Sequence, residues 1–85
     1  MTEFDYIIKD SLGFHARPAG LFVKEMKNYK CEITLAKGEK SVTGPRLIAL
    51  MGLGIKCGDT IHITCSGEDE AAAASALKAF LESNL

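Results

Sequence analysis

The chain has 85 residues, 10 of them basic and 11 acidic, with a formal net charge of −1. A chain this short buries only roughly 60–65% of its extended surface. It therefore has room for one domain, spanning 1–85, with a thin core, and no room for a deep substrate cavity. The balanced charge excludes a general nucleic-acid footprint, which needs a clustered basic excess.

The first six residues, Met1 to Tyr6, lack the basic start and apolar stretch of a signal peptide. No apolar run approaches the roughly 20 residues a membrane helix needs. A cytoplasmic protein with no direct membrane insertion is expected. From Phe4 to Lys9 the residues alternate, with Phe4, Tyr6 and Ile8 on one side, which predicts a strand with one buried face. Asp10-Ser11-Leu12-Gly13 ends it in a turn.

From Ala16 to about Lys27 the period changes. Ala19, Phe22, Val23 and Met26 fall at i, i+3, i+4 and i+7, one helical stripe. Pro18 is tolerated only in a first turn, where its missing N–H has no intrahelical partner anyway. The helix must therefore begin just before Pro18, with His15 at or beside the N-cap. Lys24, Lys27 and Lys30, interrupted by Glu25 and Glu32, read as a solvated face.

Cys31, Ile33 and Leu35 alternate with Glu32, Thr34 and Ala36 in a second strand. Lys37-Gly38-Glu39 turns the chain into a third, Lys40 to Thr43, making a hairpin. After the break at Gly44-Pro45, a short helix is expected from about Arg46 to Gly52, with Gly54 as its stop. Thr60 to Cys65 is a fourth alternating strand. Ser66-Gly67-Glu68-Asp69 has capping-box spacing. An alanine-rich helix should follow from about Asp69 to Ser83, with Ala73, Ala74, Leu77, Phe80 and Leu81 buried. The order β-α-β-β-α-β-α implies an α+β two-layer sandwich, helices on one side of the sheet and water on the other. Cys31 and Cys65 read as small core residues and Cys57 as a loop thiol. No metal-ligand spacing is present.

The chemistry concentrates in Gly13-Phe14-His15-Ala16-Arg17-Pro18-Ala19-Gly20. A glycine turn delivers the chain to a helix start, where unpaired N–H groups and the helix dipole favour anions such as phosphate. The same positive end biases His15 toward its neutral, nucleophilic form. Arg17 adds a cation whose fork matches phosphate oxygens. Phosphoryl transfer asks mainly for alignment and charge stabilisation, which these groups can supply. They cannot supply a nucleotide, because no phosphate-binding loop or kinase signature is present. A lone histidine at a helix start also reads simply as a cap or surface residue; as a phosphoryl acceptor it would need a separate protein to hold the high-energy donor, making the chain a carrier rather than a stand-alone enzyme. No cofactor is expected.

The segment from Gly13 to Ala19 closely resembles the signature of HPr, the histidine-containing phosphocarrier family of the bacterial phosphoenolpyruvate-dependent sugar phosphotransferase system. The resemblance runs over almost the whole chain and includes Leu50-Met51-Gly52-Leu53-Gly54-Ile55 and the Ser66-Gly67 turn. It implies an open-faced sandwich of four antiparallel strands with three helices on one face. It implies that His15 accepts phosphate on Nδ1 from phosphorylated Enzyme I. The phosphate then passes to the IIA domains of sugar permeases. Arg17 would stabilise the phosphohistidine, with the helix-terminal amides of Ala16 and Arg17 binding phosphate. An apolar docking surface of Gly20, Leu21, Leu47, Ile48 and Met51 is implied for a monomeric carrier. The helical phase agrees, since Leu50 and Leu53 can face the core while the others point outward.

One departure stands out. Many members of that family carry a regulatory serine where this chain has Arg46. Arg46 has no hydroxyl, so escape from that serine control is expected. Two alternatives remain: a specialised or nitrogen-type relay with regulatory partners, or a non-catalytic binding module on the same scaffold. His62, on the outer face of the fourth strand, is expected to be an inert surface residue.

Overall fold

A computed structural model describes all 85 residues. The elements are β1 (Thr2–Ile7), α1 (Ala16–Met26), β2 (Glu32–Lys37), β3 (Lys40–Thr43), α2 (Leu47–Met51), β4 (Thr60–Ser66) and α3 (Glu70–Asn84). The four strands form one antiparallel sheet in the order β1-β4-β2-β3. The α+β sandwich expected from the pattern is therefore the observed fold.

Alternation along each strand sets what the sheet buries. Ile33, Leu35, Ile61, Ile63 and Cys65 point to the helical side, none of them more than 3% exposed. Ala19, Phe22, Val23 and Met26 of α1 meet them, with Leu50 of α2 and Ala73, Ala74, Leu77 and Leu81 of α3. Phe80 is only partly buried and packs at the edge of this cluster. No polar or charged side chain is buried, so no desolvated group weakens the thin core.

The open face carries Asp5, Glu32, Thr34, His62 and Thr64, exposed or half-buried. His62 faces Asp5 across the β1–β4 pair. Its Nδ1 lies 2.5 Å from Asp5 Oδ1, and its Nε2 lies 3.4 Å from Glu3 Oε1. It is thus more closely partnered than a lone surface histidine.

The β2–β3 hairpin pairs Lys37 with Lys40, leaving Gly38 and Glu39 as its loop. Gly38 has φ +60° and Glu39 does not share the positive φ. That is the backbone a type II′ turn requires, and glycine adopts it without steric cost.

The first strand starts two residues earlier than the alternation predicts, at Thr2. Three other boundaries differ because a backbone amide finds a partner elsewhere. The first strand ends at Ile7 rather than Lys9, because the N–H groups of Lys9 and Asp10 both donate to the Leu85 carbonyl, at 2.6 and 2.8 Å. The second strand starts after Cys31, because the amides of Lys30 and Cys31 donate to the Asp69 carboxylate, both at 2.8 Å. Ser66 does not cap the last helix. It closes β4, Asp69 is the N-cap without capping its own helix, and Glu70 reaches back to the Gly67 N–H at 3.3 Å.

Cys31 and Cys65 are buried and Cys57 is exposed, all three as free thiols. Burial, reinforced by Asp69, pushes the Cys31 thiol up to about 12. Burial raises Cys65 as well. Neither is poised to form a thiolate.

Candidate functional site: the start of the first long helix

The chain reaches α1 through a tight turn. The Gly13 N–H donates to the Asp10 carbonyl at 2.9 Å, and the Phe14 N–H donates to the Ile55 carbonyl at 3.1 Å. Gly13 has φ +68°, and a Cβ there would stand 2.6 Å from Ile55 O and 2.8 Å from Lys56 Cα. Only glycine lets the turn lie this close to the 55–56 backbone. Phe14 then points inward, 4% exposed, against Phe22. With position 14 anchored in the core, position 15 is left at the surface.

His15 is the N-cap of α1, with extended backbone at φ −82° and ψ 178°. Its carbonyl accepts the Ala19 N–H at 3.0 Å, the first bond of the helix. Its ring makes no capping bond, and its side chain is 36% exposed. Pro18 occupies the third helical position and has no N–H, so the amides left unpaired in the first turn are those of Ala16 and Arg17. Arg17 is exposed, and its guanidinium forms no ion pair or hydrogen bond within the chain. A partly exposed imidazole, two free amides and a free guanidinium thus share one helix start. No acidic residue occupies the first turn to neutralise it. Chemically, the group offers a nitrogen nucleophile beside donors suited to an oxyanion.

Further along α1, Gly20 is half-buried and Leu21 is 45% exposed. Leu47, Ile48 and Met51 of α2, which packs on α1, are 37%, 87% and 42% exposed, while Leu50 and Leu53 are buried as expected. Arg46 is the N-cap of α2 and is exposed.

One side chain beside His15 and one exposed apolar residue of the preceding turn lie outside the residues singled out in the sequence. Asp10 Oδ2 lies 3.9 Å from His15 Nε2. Leu12, three residues before His15, is 72% exposed. In the sequence both belong to the turn-forming segment Asp10-Ser11-Leu12-Gly13. An isolated leucine in an otherwise polar turn was the available signal for the second; the first needed the turn's geometry. The surface cleft lined by Met26, Tyr29, Cys31 and Pro45 lies at the other end of α1, so His15 sits on an open surface and not in a pocket. No helix is long and apolar enough to cross a membrane.

Comparisons with known proteins agree with this arrangement. The family described as "PTS HPr component phosphorylation site" matches residues 2–83. The phosphocarrier protein HPr of Borreliella burgdorferi is 43% identical over 83 residues, covering 98% of this chain and 96% of that protein. The HPr-like protein Crh of Halalkalibacterium halodurans is 40% identical over 82 residues, covering 96% and 98%. The crystal structure of an HPr from Thermoanaerobacter tengcongensis superimposes with a TM-score of 0.92 at 35% identity, covering 98% of this chain and 93% of that one. A dimer of HPr from the same organism matches with a TM-score of 0.77. With a match over nearly its whole length and the histidine signature standing at a helix start, the chain belongs to the HPr family of the phosphotransferase system.

Proposed function

We propose that this chain carries phosphoryl groups on His15 Nδ1, from phosphorylated Enzyme I to the IIA domains of sugar permeases. The observation that carries the reading is the His15 ring at the N-cap, beside the unpaired amides of Ala16 and Arg17 and the free Arg17 guanidinium. In the accepting step the Nδ1 lone pair forms a P–N bond while the donor's bond to phosphorus breaks and its electron pair stays with the donor. The two amides and Arg17 hold the phosphoryl oxygens as charge redistributes over them. In the second step the acceptor attacks phosphorus and the imidazole leaves as the neutral nucleophile it began as. The energy comes from the donor's phosphoryl bond, so the chain needs no cofactor of its own.

Leu47, Ile48 and Met51, with Gly20 and Leu21, form the apolar docking surface for both partners, and their exposure supports that role. Arg46 extends it with a cation suited to acidic partner surfaces and offers no hydroxyl to a serine kinase. That substitution also favours a second reading, a carrier with a specialised partner set. The working form is a cytoplasmic monomer, because docking needs this surface open. Light scattering of the purified protein measures its oligomeric state.

Phosphoenolpyruvate, Mg²⁺, Enzyme I and a IIA domain test the relay. The chain should gain one acid-labile, base-stable phosphate and lose it to the acceptor. His15→Ala should abolish both events while keeping the wild-type circular dichroism spectrum. Arg17→Ala should slow transfer by about tenfold or more. A labelled His15→Ala protein would end the proposal.

A further inference from the structure

The acid beside His15 is held more firmly than a surface side chain needs to be. The backbone N–H of Asp10 donates to the Leu85 carbonyl at 2.8 Å, and its own carbonyl accepts the Gly13 N–H at 2.9 Å. Its Oδ1 accepts the Leu12 N–H at 2.8 Å. Leu85 is itself 5% exposed, so the residue gripping Asp10 is fixed in the core. Amide, carbonyl and one carboxylate oxygen are therefore all committed. The remaining oxygen, Oδ2, lies 3.9 Å from Nε2 of His15.

We propose that Asp10 is a positioning residue for phosphoryl transfer, its carboxylate selecting the His15 tautomer with the proton on Nε2 and leaving the Nδ1 lone pair free for phosphorus. The inference rests on the phosphocarrier reading and deepens it. A neutral imidazole presents a lone pair on one nitrogen and a proton on the other, and a second group decides which is which. A carboxylate facing Nε2 favours the proton there. When Nδ1 forms its bond to phosphorus and the donor departs with the electron pair, the Nε2 proton stays in place and the ring becomes cationic. Asp10 faces that new charge. The 3.9 Å separation is longer than a hydrogen bond. Such bonds are often long in the resting protein and tighten as the reaction proceeds. At 29% and 36% side-chain exposure the pair is partly screened by water. Its effect should therefore be about two- to fivefold and not several decades.

Asp10→Asn tests this, because the amide oxygen still accepts the Leu12 N–H while an NH2 donor replaces the charged oxygen that faces Nε2. Two readouts apply to the full chain. Proton–nitrogen correlation spectra of histidine-labelled protein at alkaline pH give the tautomer ratio of His15 without any phosphoryl donor. The Nδ1–H form should rise about two- to fivefold in Asp10→Asn. Steady-state transfer from phosphorylated Enzyme I should show kcat lower by a similar factor with KM unchanged. An unchanged tautomer ratio, or a loss confined to KM, would overturn the proposal. A wild-type chain that fails to take phosphate on His15 would sink the phosphocarrier reading instead, and the tautomer spectra would still decide the placement of Asp10.

Discussion

The rings of Phe14 and Phe22 meet edge to face, with centroids 5.7 Å apart and planes inclined by 80°. Phe22 is fully buried and also meets Phe80, at 5.6 Å. The residue directly before His15 is thereby tied to the centre of the core. Phe14→Ala removes a buried ring and should cost about 3–5 kcal/mol. Urea unfolding measures this. A loss under 1 kcal/mol would mean that the loop is held by other contacts.

Gly13 and Gly20 should respond in opposite directions to alanine. At Gly13 the new Cβ would meet Ile55 O at 2.6 Å with φ at +68°, whereas at Gly20 nothing lies within 4 Å. Gly13→Ala should destabilise by about 2 kcal/mol or more, from the left-handed backbone and the overlap together. Gly20→Ala sits inside α1 and should stabilise by about 0.5–1 kcal/mol. Melting both variants beside the wild type checks the pair. A shared sign would contradict the placement of one of them.

Ile48 is 87% exposed, so Ile48→Asp should leave folding stability within about 0.5 kcal/mol. If α2 is the docking surface, the same change should raise KM for Enzyme I severalfold and leave kcat near the wild type. Transfer kinetics at several donor concentrations separate the two. An unchanged KM would remove Ile48 from the interface.

Stability should weaken in acid. Glu70 is held down to about 2 by the N-terminal ammonium, the Thr2 hydroxyl and the Gly67 N–H. The Lys30 amide lowers Asp69, and Lys37 lowers Asp59. A carboxyl group lowered by folding binds its proton more readily in the unfolded chain. Its contribution is therefore complete above the unfolded value, 4.5 for Glu70, and fades as pH falls toward about 2. Thermal midpoints should drop across that interval, and Glu70→Gln should flatten the drop. An identical acid limb in Glu70→Gln would show that its contacts are not formed in solution.

The architecture was legible because it rests on periodicity. Ala19, Phe22, Val23 and Met26, and the alternation of Ile61, Ile63 and Cys65, each name a buried face from spacing alone, and every one of them is buried. The helix start at His15 was legible because Pro18 restricts the first turn. What escaped were partnerships between distant segments. The Asp69 carboxylate serves amides 38 and 39 positions earlier, and Leu85 takes the amides that end β1. Local propensity carries no signal for such bonds, so Ser66 read as a cap and Lys9 as strand. Asp10 escaped for the same reason, since its approach to His15 depends on a turn fixed by Leu85 and the 55–56 backbone.

The central claim is that the His15 ring, set at the mouth of α1, takes the phosphoryl group. Its most direct test is phosphorus NMR with tandem mass spectrometry on the intact chain after exposure to Enzyme I, Mg²⁺ and phosphoenolpyruvate. One phosphorus bonded to Nδ1 of His15 is the expected result. Phosphate on His62, on a hydroxyl side chain, or on no residue at all would contradict it.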